Sequence, residues 1–315
     1  MQLRTYDKGD ASSIQALFKI AFGGDITPEW LSWKYERSTW GAKGYVALDE
    51  GNVVAFYGII KFPFSFNGKT LWAYQHCDVM THPQYRARFF SKTPLIAMLN
   101  ELLYRENDMD FAFGFPSLRH TRLQVLRLGG EGYRFVRLYV KDFLTSASFR
   151  WRFRVFEGWD NIESPEFNNF LTTSGKGSLT MLKNKEYLKW RYMEHPQKHY
   201  RLLTFERFNK LKGCVVFGVE DGWVNVLEVF YGKDRDFENI MASLEHHIKN
   251  TITECKGIKA WFHHNEPVIN ILGAMGYKGT EHIPVTYRTV IKDCGLSADV
   301  FFEGYFYRMG DYDAA

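Results

Sequence analysis

One octapeptide pattern occurs twice in this chain, and it constrains the fold more than any other feature. EWLSWKYE occupies residues 29–36 and EYLKWRYM occupies residues 186–193, which is 157 residues further along a chain of 315. Each copy is followed by the same predicted series of elements: a strand, a turn, a strand, a long helix, a short strand and a helix that ends in glycine. A repeat of this length predicts a duplicated domain rather than a solenoid.

A segment rich in Ser, Thr and Gly near the middle of the chain marks the boundary between the two copies. We predict an N-terminal domain at residues 1–160, a linker at 161–177 and a C-terminal domain at 178–315. Alternating strands and helices predict an α/β (α+β) fold, in which each domain has a mostly antiparallel mixed sheet flanked by helices. Strands at 133–141 and at 284–291 are expected to close the sheets of the first and second domain.

Charge and cysteine content limit the class of protein. The net charge of +4 is too small to require a nucleic-acid partner. The four cysteines show no spacing typical of zinc sites, and the N-terminus lacks an apolar run. We therefore expect a cytoplasmic monomer or small homo-oligomer with no metal, no nucleic acid and no membrane partner.

The segment DVMTHPQYRARFFSKTPLIAML at 78–99 has the composition of an anion-binding loop. A predicted strand ends before Pro83, and a basic loop then leads into the start of a helix. Free N–H groups and the positive end of the helix dipole favour an anion at such a place. Arg86, Arg88 and Lys92 add charged donors, and Ser91 adds a hydroxyl. A pyrophosphate would fit this loop.

These residues resemble the acyl-CoA loop of the GNAT superfamily of acyltransferases, in its tandem-duplicated form. Thr81-His82-Pro83 is similar to the end of the family's fourth strand, and QYRARF at 84–89 to its Gln/Arg-x-x-Gly-x-Gly/Ala loop. FGFP at 113–116 and LGG at 128–130 are similar to its fifth strand and to the end of its fourth helix. The resemblance implies two GNAT-like domains and acetyl-CoA, or another short acyl-CoA, as co-substrate.

The resemblance also implies which residues bind the acyl-CoA. They are Val79, Met80, Thr81, Gln84, Arg86, Ala87, Arg88, Phe89, Ser91 and Lys92. Ala87 and Phe89 depart from the family pattern because they stand where glycines are expected, and a side chain there crowds a phosphate that approaches the backbone. Either the basic residues compensate, or coenzyme A binding has been lost. YGKDRDFENI at 231–240 in the second half lacks the loop pattern, so that half is expected to wall the acceptor cleft.

Three residues are candidates for proton transfer. Alternation along LWAYQHCDVM places His76 and Asp78 on one strand face, as separate bases or as an oriented pair, although both residue types also serve structural roles. Many GNAT enzymes use a tyrosine on the fourth helix as an acid. The register puts Leu126 near that position here, so His120 becomes the substitute candidate.

Five further residues are candidates for binding the acceptor. Trp72 and Tyr74 share the predicted strand face with His76. Trp151 would stack on a nucleotide base, although FRWRFR at 149–154 also fits an edge strand with its arginines in water. His263 and Asn265 belong to a polar cluster in the second half, where adjacent histidines on a strand diverge and do not form a zinc site.

The resemblance favours transfer of an acetyl group, or of another short acyl group with or without a hydroxyl, to the amino group of a nucleotide-linked amino sugar in surface polysaccharide biosynthesis. The small-molecule partners are then the acyl-CoA and this sugar. Alternatives are a small-amine or aminoglycoside N-acetyltransferase, a transferase resembling the Fem ligases that use aminoacyl-tRNA, and a non-catalytic GNAT scaffold.

Overall fold

A computed structural model describes residues 1–86, 94–143, 153–174, 177–291 and 294–313. The chain divides into two compact units, neither of which is contiguous in sequence. Unit 1 consists of Met1–Arg134, His195–Gln197 and Pro284–Phe301. Unit 2 consists of Phe135–Glu194, Lys198–Ile283 and Phe302–Ala315. Both units combine a mostly antiparallel sheet with helices, which confirms the predicted fold class.

The sheet of unit 1 has one parallel pair among antiparallel neighbours. Its strands are β1 (Gln2–Thr5), β2 (Ala42–Asp49), β3 (Asn52–Phe66), β4 (Lys69–Thr81), β5 (Phe111–Gly114) and the end of β13 (Lys278–Thr289). They lie in the order β1-β2-β3-β4-β5-β13. β4 and β5 are parallel, and β13 pairs antiparallel with β5. The helices are α1 (Ala11–Phe22), α2 (Pro28–Tyr35), α3 (Leu95–Glu106) and α4 (Leu118–Arg127).

Local sequence signals account for several of these elements. Asn67 and Gly68 have φ angles of 49° and 75°, as the two-residue hairpin turn between β3 and β4 requires, and Asn-Gly is the residue pair that favours such a turn. The helix of the first octapeptide begins at Pro28, and the Thr27 hydroxyl accepts a hydrogen bond from the Trp30 N–H at 3.2 Å. α3 packs its apolar face on β2, β3 and β4, because Ile96, Leu99, Leu102 and Leu103 are buried there.

Unit 2 repeats this strand order. β9 (Arg201–Arg207), β10 (Lys210–Glu220) and β11 (Trp223–Tyr231) form antiparallel neighbours, and β12 (Gly257–Trp261) lies parallel to β11. β6 (Gly132–Asp142) pairs antiparallel with β12, and β7 (Arg154–Glu157) pairs with β9. The remaining elements of unit 2 are β8 (Leu179–Met181), α5 (Pro165–Thr173), α6 (Lys185–Leu188) with a π-helix at Lys189–Met193, α7 (Asp234–Thr251) and α8 (Ile269–Ala274). The helix α9 (Ala298–Gly304) begins in unit 1 and ends in unit 2.

The closing strands are exchanged relative to the predicted domains. The strand expected to close the first domain pairs through Leu138–Asp142 with β12 of unit 2. The strand expected to close the second domain pairs through Thr286–Thr289 with β5 of unit 1. The predicted contiguous boundaries therefore differ from the compact units. Each strand alternates apolar and polar residues, and alternation does not specify which parallel strand it will pair with.

Part of the predicted linker is a helix. α5 begins at Pro165, and the Ser164 hydroxyl caps it by accepting the Phe167 N–H at 3.1 Å. Phe167 and Leu171 are buried, so an apolar stripe outweighs the polar composition on which the linker prediction rested. In the part of the chain that the structure describes, no helix has both the length and the apolar composition needed to cross a bilayer.

The strand exchange predicts that a fragment of residues 1–160 does not fold alone. Phe111 loses the ring of Tyr287, whose centroid lies 5.8 Å away, and the outer edge of β5 loses its hydrogen bonds. We expect aggregation and no dispersed amide spectrum in two-dimensional NMR. Adding a synthetic peptide of residues 284–301 is expected to restore dispersion, whereas a scrambled peptide is not. A well-folded fragment without the peptide would contradict the exchange.

Candidate active site

The parallel strands of unit 1 separate at one point. β4 and β5 pair from Ala73 opposite Phe111 as far as His76 opposite Gly114. β5 ends there and leads into α4, whereas β4 continues to Thr81. Ligands of open α/β sheets bind at the carboxyl ends of parallel strands, where helices begin. The opening beyond His76 and Gly114 is therefore the candidate active site.

The segment after β4 places basic and polar groups at the carboxyl end of that strand. Pro83–Tyr85 form a single 3-10 turn, and Arg86 Nε donates to the Thr81 carbonyl oxygen at 3.1 Å. Tyr85 Oη donates to Asp49 Oδ2 at 2.7 Å, which anchors the turn to β2. Gln84 is exposed.

The other predicted acyl-CoA residues divide into two groups. Val79, Met80 and Thr81 lie in β4, where Met80 is buried and Val79 packs against the apolar core under α3. For Val79 and Met80, only the backbone groups are therefore suited to a ligand. Ala87, Arg88, Phe89, Ser91 and Lys92 lie outside the described residues.

A buried polar cluster lies where β4 and β5 separate. His76 Nε2 is 3.0 Å from Tyr104 Oη on α3, and His76 Nδ1 is 3.4 Å from Gln124 Nε2 on α4. The Gln124 amide also donates to Tyr57 Oη at 3.1 Å and lies 3.2 Å from His120 Nε2. An amide NH2 carries two hydrogens, so it serves two of these three acceptors at a time. The Gln124 amide nitrogen thus lies within hydrogen-bond distance of both histidines of the site.

Burial keeps both histidines neutral. Burial, together with smaller effects of the nearby His120 and Arg288, lowers the pKa of His76 to about 3. Burial likewise lowers the pKa of His120 to about 4. A neutral His76 that accepts from Gln124 carries its proton on Nε2 and donates it to Tyr104. Burial also raises the pKa of the Tyr104 hydroxyl, so this group too is uncharged.

Sequence reasoning missed Tyr104, Gln124 and Arg288. The Arg288 guanidinium carbon lies 3.7 Å from the centroid of the Tyr104 ring, and Nη1 donates to the Leu128 carbonyl oxygen at 2.5 Å. Arg288 comes from β13, 212 positions after His76 in the printed sequence. No local signal predicts such a contact. For Gln124 a signal existed, because it lies one helical turn after His120.

The three predicted proton-transfer residues have different environments. Both ring nitrogens of His76 face hydrogen-bonding partners inside the protein. His120 is only partly buried, and among the described residues its Nδ1 has no hydrogen-bond partner. Leu126, at the position of the expected tyrosine, is 75% exposed. His120 is therefore the histidine that remains available to a ligand.

Asp78 and His76 do not form the predicted pair. β4 pairs with β3 through Gly58–Cys77 and through Phe56–Met80, so a β-bulge lies between these pairs. The bulge turns Asp78 to the strand face of Cys77, where Tyr35 Oη donates to Asp78 Oδ2 at 2.5 Å. Strict alternation would have kept Asp78 on the face of His76, and the bulge is why that prediction was wrong.

The predicted acceptor residues of unit 1 lie before the strands separate. Tyr74 is buried in the apolar core with Ile96 and Leu99 of α3. Trp72 lies under the Lys61 ammonium, which is 4.2 Å from the ring centroid. Both side chains are therefore occupied by contacts within the fold.

In unit 2, His263 and Asn265 stabilise local structure. His263 Nδ1 accepts the Asn265 N–H at 3.2 Å, and His263 Nε2 donates to the Phe302 carbonyl oxygen at 2.7 Å. Burial lowers the pKa of His263 to about 4. Asn265 Nδ2 donates to Glu303 Oε2 at 2.5 Å. Trp151 lies outside the described residues.

Comparison with known families places the site in context. Residues 2–122 match the model of an acetyltransferase (GNAT) domain. This range begins in β1, ends in α4 and contains His76 and His120. The match supports the prediction that the protein is an acyltransferase. No curated protein sequence matches the chain.

Solved structures show the fold over most of the chain. A conserved protein of unknown function from Enterococcus faecalis V583, described as a probable N-acyltransferase, is 14% identical to this chain, with a TM-score of 0.68. The superposition covers 92% of this chain and 73% of the Enterococcus protein. GCN5-related N-acetyltransferases from Anabaena variabilis and Kribbella flavida are similar at 12% and 16% identity, with TM-scores of 0.65 and 0.59. Both superpositions cover 92% of this chain, and they cover 73% of the Anabaena protein and 71% of the Kribbella protein. At these identities the likeness establishes the fold.

Burial of neutral His76 predicts that stability falls below neutral pH. The pKa is lower in the folded state than in the unfolded chain, so the unfolded state binds more protons between about pH 3 and pH 6.5. Stability is complete above this window and falls by up to about 1.4 kcal/mol per pH unit on entering it. Urea unfolding at several pH values is expected to show a shallower fall for His76→Gln. Tyr104→Phe, which keeps the imidazole, should retain the wild-type slope, and an unchanged slope in His76→Gln would contradict the assignment.

Proposed function

We propose that unit 1 is an acyl-CoA-dependent N-acyltransferase whose active site is the opening between β4 and β5. One observation carries this proposal: the parallel strands separate at His76 and Gly114, and the segment that follows β4 brings Arg86 to its carboxyl end. This arrangement lies in the region that matches the GNAT domain. Acetyl-CoA or another short acyl-CoA is the proposed co-substrate.

The proposed binding mode uses the segment between β4 and α3 for the pyrophosphate. Arg86 is exposed and adds a permanent positive charge. α3 begins at Leu95 without a side-chain cap, so its first N–H groups are not satisfied by a capping side chain. Both features favour an anion. The pantetheine arm would then enter the opening beyond Gly114.

The chemistry proposed is direct attack of a neutral amine on the thioester carbonyl carbon. A C–N bond forms, the C–S bond breaks, and the amine proton finally resides on the coenzyme A sulfur. A backbone N–H of β4 polarises the carbonyl oxygen. His120, which is neutral, accepts the proton as the attacking nitrogen becomes acidic and returns it to the departing sulfur. In the tautomer that carries its proton on Nε2, neutral His120 has a free lone pair on Nδ1 for this exchange, and the two amide hydrogens of Gln124 are then donated to His76 and Tyr57.

For the acceptor we propose the amino group of a nucleotide-linked amino sugar in surface polysaccharide biosynthesis. The support is the sequence resemblance, together with a modest net charge of +4 that suits an anionic substrate. A polyamine or aminoglycoside is cationic and needs an acidic cleft. A panel of nucleotide-linked amino sugars, aminoglycosides and simple amines distinguishes these acceptors. Monomeric or small oligomeric state and cytoplasmic location stay predictions.

Binding of acetyl-CoA tests the co-substrate. Arg86→Glu replaces an attractive charge by a repulsive one, and we expect affinity measured by isothermal titration to fall about tenfold or more. Lys69→Glu is the matched control, because it makes the same charge change at the opposite end of β4. Equal affinity of both variants would argue against the proposed pyrophosphate site. No binding of acetyl-CoA or free coenzyme A to the wild type would favour a non-catalytic scaffold.

His120→Gln tests the proton-transfer role. Glutamine keeps a polar contact to Gln124 but cannot accept a proton, so we expect kcat to fall about a hundredfold. KM for acetyl-CoA should change little. The measurement is thiol release from acetyl-CoA with the best acceptor of the panel. A loss of less than about threefold would mean that another group or solvent carries the proton.

A further inference from the structure

The β-bulge of β4 has an unusual backbone conformation. Two residues, Asp78 and Val79, lie opposite one residue of β3. Asp78 has a φ angle of 48°, a value that residues other than glycine adopt only uncommonly. A bulge leaves N–H groups outside the regular ladder and redirects them. Strained residues of this kind persist only where their surroundings hold them.

Two residues of the first octapeptide hold this conformation. Tyr35 Oη donates to Asp78 Oδ2 at 2.5 Å, and Lys34 Nζ lies 2.8 Å from the same oxygen. The Lys34 side chain is 1% exposed and that of Asp78 is 10% exposed, so water does not compete for the contact. The Lys34 ammonium also lies 4.6 Å from the centroid of the Trp30 ring. We call Lys34, Tyr35 and Asp78 the bulge clamp.

The β3 strand is adapted to the clamp at Gly58. A Cβ at this position would lie 2.0 Å from Tyr35 Oη and 2.9 Å from the Cys77 carbonyl oxygen. The φ angle of Gly58 is not positive, so the backbone conformation does not require a glycine there. The glycine is explained instead by the space that the Tyr35 hydroxyl needs.

We propose that Lys34 and Tyr35 are positioning residues that aim the backbone N–H groups of the β4 bulge at the thioester carbonyl. This inference rests on the proposed function of unit 1. The bulge begins two residues after His76, the last residue paired with β5, so its N–H groups lie in the part of β4 that borders the opening. Asp78 then acts through the conformation of its own backbone rather than as a base, because its carboxylate is engaged by the clamp.

Unit 2 contains a matched hydrogen bond that serves as a control. Tyr192 occupies the position of Tyr35 in the second octapeptide, and its Oη donates to Glu228 Oε1 at 2.7 Å. Glu228 lies on β11 beside a register shift in the pairing with β10. Tyr192 is 1% exposed and Tyr35 is 7% exposed. Removing either hydroxyl therefore deletes a similar buried bond, but only one borders the proposed site.

The test compares Tyr35→Phe with Tyr192→Phe. Acetyl-CoA carrying carbon-13 at the carbonyl is bound to each protein, and the carbonyl stretch is recorded by infrared difference spectroscopy. We expect a shift to lower frequency in the wild type and in Tyr192→Phe, because a hydrogen bond polarises the carbonyl. Tyr35→Phe should lose most of this shift. Its affinity for acetyl-CoA should fall about three- to tenfold, with affinity for free coenzyme A unchanged.

The outcomes separate the two proposals. If the wild type binds neither acetyl-CoA nor coenzyme A, the proposed function fails. If the wild type binds both and Tyr35→Phe keeps the full infrared shift and the full affinity for acetyl-CoA, only the positioning role of the bulge clamp is refuted. Should Tyr35→Phe not fold, Lys34→Met and Gly58→Ala disturb the same contact from two other sides. A wild-type infrared shift in both would equally overturn the inference.

Discussion

The buried contact of Lys34 and Tyr35 with Asp78 is the interaction on which the backbone conformation of β4 beside the opening depends. It stabilises a bulge at which β4 changes the face presented by its side chains. Before the bulge, His76 faces α3 and α4; after it, Asp78 faces α2. The same bulge lies just beyond the point where β4 and β5 part. One ion pair with one hydroxyl therefore links the shape of the opening to the helix that carries the repeated octapeptide.

The electrostatic character of the site follows from what surrounds it. His76, Tyr104, Gln124 and Tyr57 form a network that is polar but uncharged, because burial disfavours the ionised form of each titratable member. Unit 2 is different. There the Lys183 ammonium bonds both oxygens of Glu228 and also Asp311, and Arg308 bonds Glu266 through two nitrogens. These buried charges of unit 2 are paired, as Lys34 and Asp78 are in unit 1, whereas the cluster around His76 is neutral.

Sequence reasoning predicted the fold class and most elements of unit 1, because periodicity, caps and the Asn67-Gly68 turn are local signals. It did not predict the bulge, since one extra residue in a strand leaves no compositional mark and reverses the faces of everything after it. It also did not predict Arg288 or the partners of the closing strands, which depend on contacts between distant parts of the chain. The roles of the three proton-transfer candidates stay predictions, and burial and hydrogen-bond partners, which the sequence does not show, distinguish His120 from His76.

The exchange of closing strands has a consequence for the history and synthesis of the chain. Unit 1 cannot complete its sheet until residues 286–289 have left the ribosome, long after the other strands of that sheet. Folding of the first half must therefore wait, in contrast to domains that fold as they emerge. Because of the exchange, each half of the chain supplies a strand to the sheet of the other half. A deletion that removed either half would also remove a strand from the sheet of the other, so we expect the two halves to be retained together.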